Sequence, residues 1–213
     1  MDDSTHREQR DRAAATTSAA ATPPADGLGV DLNWLPLGAG GHVVRLNGKV
    51  YERLVALVER RRPCDLYHAA LIVRTPDGRF TIESTPVPDG RGAERGVVAG
   101  GPVGSRLLGG LRIFRYEVRC WRDGVIPDLE WAVESPRRLT EDAAQTERLL
   151  QTLPLVPAPV WGRDELRAGE MWNSNSIVSW ALARSGIGVG EARLPAAGRA
   201  PGWDAGLRVA ARG

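Results

Sequence analysis

Residues Leu66–Thr85 read "LYHAALIVRTPDGRFTIEST", and this stretch decides the fold class. Two runs rich in aliphatic and β-branched residues flank Thr75-Pro76-Asp77-Gly78. Proline presets φ at the first central position of a turn, and glycine supplies the freedom to leave it, so the expectation is a β-hairpin. If Thr75 and Gly78 close the turn, His68 faces Thr85 and Ala70 faces Glu83. All four side chains then share one face of the sheet, and Glu83 becomes the diagonal neighbour of His68 at ~7–8 Å between backbones. A register slip of one residue would put them on opposite faces.

An imidazole inside an apolar strand costs energy unless it is hydrogen-bonded. A carboxylate beside it fixes the tautomer and stabilises the imidazolium, which gives His68 and Glu83 a reading as base and orienting acid. A base of this kind serves a nucleophile. The second informative stretch, Glu170–Gly186, "EMWNSNSIVSWALARSG", crowds polar residues at the start of an apolar helix. Ser174 or Ser176 is expected to cap that helix, Ile177, Val178, Ala181 and Leu182 to form its buried stripe, and Gly186 to end it. One capping serine explains part of the run. The first helical turn also offers unpaired N–H groups and a positive dipole end, which suit a nucleophile and an oxyanion.

The remaining chain is consistent with one α+β domain. Residues 1–26 are low in complexity, with no large apolar side chain beyond Met1, and read as a disordered tail; a single domain is expected over 27–213. Folded sequence begins near "LGVDLNWLPL". The segment "VYERLVALVERR", 50–61, has helical spacing and a basic last turn. "LRIFRYEVRCW", 111–121, alternates as a long strand, and "TEDAAQTERLLQTL", 140–153, is expected as a helix capped by Thr140. The Gly- and Pro-dense segment 86–110 is a long connection whose role the sequence leaves open.

Composition excludes some functions. With 28 basic and 26 acidic side chains the net charge is +2, too small a field to argue for nucleic acid. Lys49 is the only lysine. No stretch reaches the ~20 apolar residues of a membrane span. The acidic start, without an apolar h-region, points to a cytoplasmic protein rather than an exported one. Cys64 and His68 have metal-like spacing, but a structural zinc site needs four ligands and no second pair exists, so no metal and no cofactor are expected. His42, in "GGHVVRLNGKVYE", offers a second histidine-hairpin frame with Glu52 as partner, but the helical spacing of 50–61 opposes it. The remaining tryptophans are expected to pack the core or line a groove.

The two informative stretches together resemble the circularly permuted NlpC-type branch of the papain-like fold, which also resembles lecithin retinol acyltransferase. "YHAALIVRTPDGRFTIEST" is similar to that family's histidine hairpin, and "WNSNSIVSW" to its nucleophile helix; the hairpin preceding the helix is the permuted order. The resemblance implies an α+β papain-like fold with an antiparallel sheet packed on the nucleophile helix. It implies Ser174 as nucleophile, where the family has cysteine, with His68 and Glu83 completing a catalytic set. Asn173, Asn175, Trp172 and Tyr67 are then the expected substrate-contacting residues. The substrate class is a peptide or acyl-containing small molecule, cleaved or transferred at an amide or ester carbonyl. A hydroxyl is a far poorer nucleophile than a thiolate. The alternative is therefore an inactive member of the same fold that binds a peptide or acyl group. A third reading is an unrelated α+β domain in which Ser174 caps and His68 is structural.

Overall fold

The computed structural model describes residues 27–37, 60, 62–86, 90–126, 128–196 and 198–213. The tail, His42 and, apart from Arg60, the helix expected over 50–61 lie outside the described residues. Seven strands are described: β1 (Gly29–Pro36), β2 (Asp65–Thr75), β3 (Gly78–Pro86), β4 (Val97–Pro102), β5 (Arg115–Arg122), β6 (Arg137–Thr140) and the two-residue β7 (Gly198–Arg199). Three α-helices accompany them: α1 (Ala143–Thr152), α2 (Ser174–Arg184) and α3 (Trp203–Ala210). The sheet runs β4-β5-β3-β2-β1-β6 with every neighbouring pair antiparallel, and β7 pairs β2 in parallel. The domain is thus α+β, an antiparallel sheet with few helices.

The hairpin forms in the expected register. Thr75 pairs with Gly78 and Leu71 with Ile82. Thr75 Oγ1 also accepts the Asp77 N–H at 3.2 Å, which fixes the turn locally. The ladder then stops at Leu71, so the expected Ala70–Glu83 and His68–Thr85 pairs do not continue it. Beyond that point β3 pairs on its other side with β5, from Phe80–Arg122 to Pro86–Tyr116.

Alternation along the strands builds two unlike faces. Val30, Leu32 and Trp34 of β1 pair with Val73, Leu71 and Ala69 of β2, and all six join the main core with Ile82, Tyr116 and Val118. That face receives Leu149 and Leu153 from the α1 region and Ile177, Val178, Ala181 and Leu182 from α2, as the helical stripe predicts. Each such buried aliphatic side chain contributes about 1.5–3 kcal/mol relative to exposure. The reverse face carries Leu35, Ala70 and Ile72 in a small cluster with Ile126, backed by Leu129 and Ala132. Its remaining positions are strongly polar.

Helix boundaries depart from the sequence reading for local reasons. Asn173, not Ser174 or Ser176, caps α2: its Oδ1 accepts the N–H of Asn175 at 2.9 Å and of Ser176 at 3.4 Å, while Ser176 Oγ accepts the Asn173 N–H at 3.2 Å. This is a reciprocal capping box, which needs the cap one residue before the first helical residue. At the other end Gly186, at φ 71°, sends its N–H to Ala183, and Ile187 sends its N–H to Leu182. That pair of bonds is a Schellman closure and explains the glycine. Asp142 caps α1 through Gln145, and Thr140 instead ends β6 and accepts the Asp142 N–H. The strand expected over 111–121 begins only at Arg115, because 3-10 turns occupy Arg106–Gly110 and Arg112–Phe114.

Candidate active site

The polar run at the start of α2 is mostly a set of sutures. Asn175 Oδ1 accepts the Ala69 N–H at 2.8 Å, and its Nδ2 donates to the carbonyls of Tyr67 at 3.0 Å and Pro201 at 2.9 Å. In the ladder geometry, the N–H and C=O of odd-numbered β2 residues point away from β1, toward β3. The Asn175 carboxamide therefore takes the backbone groups that β3 leaves when it diverges, while β7 pairs Asp65 and Leu66 just before them. Asn173 Nδ2 reaches Pro201 at 2.8 Å, Ser176 Oγ reaches the Gly202 carbonyl at 2.7 Å, and Ser179 Oγ the Trp203 carbonyl at 2.7 Å. Every one of these side chains spends its hydrogen bond on a backbone group, and Asn175 takes the two β2 groups that β3 leaves.

Ser174 is the exception. It occupies the first helical position and is buried, yet its hydroxyl makes no hydrogen bond among the described residues. Its backbone N–H, outside the reach of intrahelical acceptors, likewise has no acceptor among them. Asn175, the next residue, is tied to strand positions on both sides of His68. The first turn of α2 is thus anchored at the level of that histidine.

His68 pairs with Leu35 and lies, by alternation, on the reverse face with Ala70 and Ile72. Its imidazole makes no hydrogen bond among the described residues, either to Ser174 or to Glu83. Desolvation pushes its pKa down to about 4, against the opposing pull of the Asp128 charge. The ring is therefore neutral at physiological pH. Glu83 shares the reverse face but is engaged elsewhere, and this corrects its expected orienting role. Arg119, its cross-strand partner on β5, reaches Glu83 Oε1 at 3.4 Å and Glu117 Oε2 at 3.0 and 3.1 Å. Burial raises the Glu83 pKa, with Arg119 and then Arg95 pulling the other way. The hydrogen-bonded triad expected from the sequence is not made in this structure.

The four residues expected to contact substrate are engaged in the fold. Tyr67 and Trp172 belong to the main core, where both are buried; Asn173 is the helix cap and Asn175 the suture. Cys120 cannot stand in as a nucleophile, since burial pushes its thiol up to about 11.

The reverse face also holds groups that the sequence reading passed over. Arg119 and Glu117 alternate with the core-facing Tyr116, Val118 and Cys120 on β5, and that alternation was the available signal. Asn33 pairs with Ala70, diagonal to His68, and its Nδ2 is buried with no partner among the described residues. Asp128 belongs to the segment following β5 and acts on both His68 and Glu83 through charge alone. Among the described residues, no group of three or more His, Cys, Asp or Glu side chains could hold a metal ion. No helix among them is long and apolar enough to cross a membrane. Comparison of the chain with protein-family models, with curated proteins and with solved structures returns no match.

Proposed function

We propose that the chain is a papain-like domain of circularly permuted NlpC type that hydrolyses or transfers an acyl group at an amide or ester carbonyl, with Ser174 as nucleophile and His68 as base. The observation that carries this reading is the Asn175 carboxamide. It anchors the first turn of α2 to the strand on both sides of His68, and Ser174 is the residue of that turn whose hydroxyl and N–H both have no partner among the described residues.

In the proposed reaction Ser174 Oγ attacks the substrate carbonyl carbon and its proton passes to the neutral imidazole of His68 through the opening between β2 and β3 beyond Leu71, the place where Asn175 binds the β2 backbone. The carbonyl oxygen gains negative charge, for which the Ser174 N–H at the positive end of α2 is a donor. The bond to the leaving amine or alcohol then breaks, the imidazolium returns the proton to that group, and an acyl-serine remains. Water, or a second nucleophile in transfer, attacks the acyl-serine with His68 again taking the proton; the bond from the acyl carbon to Ser174 Oγ then breaks, the imidazolium returns the proton to Oγ, and the acid or the transfer product leaves. Glu83 has no step in this scheme, because Arg119 holds it.

A fluorophosphonate probe tests the proposal. It is expected to label Ser174 and to leave His68→Ala and Ser174→Ala unlabelled. Because burial holds the imidazole in its neutral, singly protonated form until the pH falls to about 4, the labelling rate should be flat from neutral pH to about pH 5. No labelling of the wild type, together with a Ser174→Cys variant whose thiol reacts with iodoacetamide no faster than a free cysteine, would refute it. The second reading, a peptide- or acyl-binding domain without turnover, is favoured by one observation: among the described residues no acid hydrogen-bonds His68 to hold an imidazolium. That reading predicts ligand affinity unchanged in Ser174→Ala alongside an unlabelled wild type.

A further inference from the structure

The connection between β4 and β5 presents an apolar tip to water. Its ends are held together where Val103 donates its N–H to the Phe114 carbonyl at 2.7 Å, next to the Pro102–Arg115 pair of the two strands. Within it, Leu107, Leu108, Leu111 and Ile113 are 94%, 41%, 57% and 62% exposed. Neither 3-10 turn of the connection buries a single residue. The conformation is nevertheless built: Ser105 Oγ accepts the Leu107 N–H at 3.3 Å, and Leu111 and Phe114 close successive turns onto Leu108 and Leu111. Contiguous aliphatic side chains held outward on a fixed loop mark a surface that is covered by something else.

The charge around the tip indicates what covers it. Residues 97–115 contain Arg106, Arg112 and Arg115 and no acidic residue. Arg163, from a neighbouring segment, bonds the Gly104 carbonyl and adds a further cation at the base of the loop. Glu165, an acid that reaches this region, pairs with Arg106 through two bonds at 2.7 and 3.0 Å, a neutral pair that leaves the collar's positive charge to the other arginines. An aliphatic tip within a collar of arginines is complementary to an anionic lipid surface, where the side chains enter the acyl boundary and the guanidinium groups meet phosphate. We propose that the 103–114 loop docks the domain on anionic phospholipid membranes. Its attachment is peripheral, and it does not depend on Ser174 or His68.

Vesicle co-sedimentation of the full chain tests this. Binding is expected to vesicles containing phosphatidylglycerol and not to phosphatidylcholine alone, and it should weaken with added salt. Leu107→Ser combined with Ile113→Ser should lower the affinity about tenfold or more, and Arg115→Gln should lower it less. All three positions face water, so circular dichroism of the variants should match the wild type. Failure to bind anionic vesicles, equal binding to neutral ones, or unchanged binding by the double-serine variant would each overturn the proposal. So would a concentration-dependent dimer in light scattering that the double-serine variant abolishes, since the tip would then belong to a second copy of the chain.

Discussion

Asn175 Oδ1 accepts the backbone N–H of Ala69 at 2.8 Å, a bond that a neighbouring strand would normally supply. With its two donated bonds, to Tyr67 and Pro201, one carboxamide joins α2, β2 and the segment before α3. Asn175→Ala should therefore leave two backbone groups, the Ala69 N–H and the Tyr67 carbonyl, without these partners, while Asn173 still serves Pro201, and destabilise the domain by about 2 kcal/mol or more, read from urea unfolding. A loss under about 0.5 kcal/mol would mean that the sheet edge closes without it.

Asp31 is buried on the reverse face between two arginines, with Arg138 Nε at 2.6 Å from Oδ1 and Arg74 bonded to Oδ2. Asp31→Asn keeps the volume but leaves two guanidinium groups facing a neutral amide. The expected cost is about 3 kcal/mol, because breaking one partner of a buried pair strands the other charge. Asp31→Asn combined with Arg74→Met should recover part of that loss, which thermal unfolding of the single and double variants measures.

At Gly206 α3 lies directly against α2. A Cβ there would clash with the Ser176 carbonyl oxygen and Ser179 Oγ. Gly206→Ala should force the helices apart and cost about 1–3 kcal/mol. Gly188→Ala, where a Cβ meets nothing within 4 Å, is the control and should be nearly neutral.

His68 gives stability a pH dependence of definite sign. Its pKa falls from 6.5 to about 4 on folding, so between those values the unfolded chain binds more protons than the native one. Stability should fall as pH drops through that window. Urea midpoints at pH 7 and pH 5 should therefore differ less for His68→Gln than for the wild type. Parallel losses in the two proteins would show that the imidazole is not desolvated.

Local chemistry made much of the fold legible. Thr75-Pro76-Asp77-Gly78 set the hairpin register, the apolar stripe of α2 set its buried face, and Gly186 set its end. The candidate site was less legible, because its partners are chosen between strands distant in sequence. Glu83 lies near His68 in the hairpin, but the β3–β5 register puts Arg119 directly opposite it, and a charged partner outcompetes a neutral diagonal one. Likewise, nothing in "WNSNS" tells which polar side chain will stay unengaged. That depends on Pro201, Gly202 and Trp203, whose carbonyls take the bonds of Asn173, Asn175, Ser176 and Ser179.

The same carbonyls bear on how the polypeptide matures during synthesis. A nascent chain that has emerged only as far as Ile187 already carries β1 to β6 and α2, yet the residues that quench the helix's hydrophilic flank have not been made. Until Pro201–Trp203 arrive, that flank has to stay wet, so this side of α2 dries only once the C-terminal helix docks.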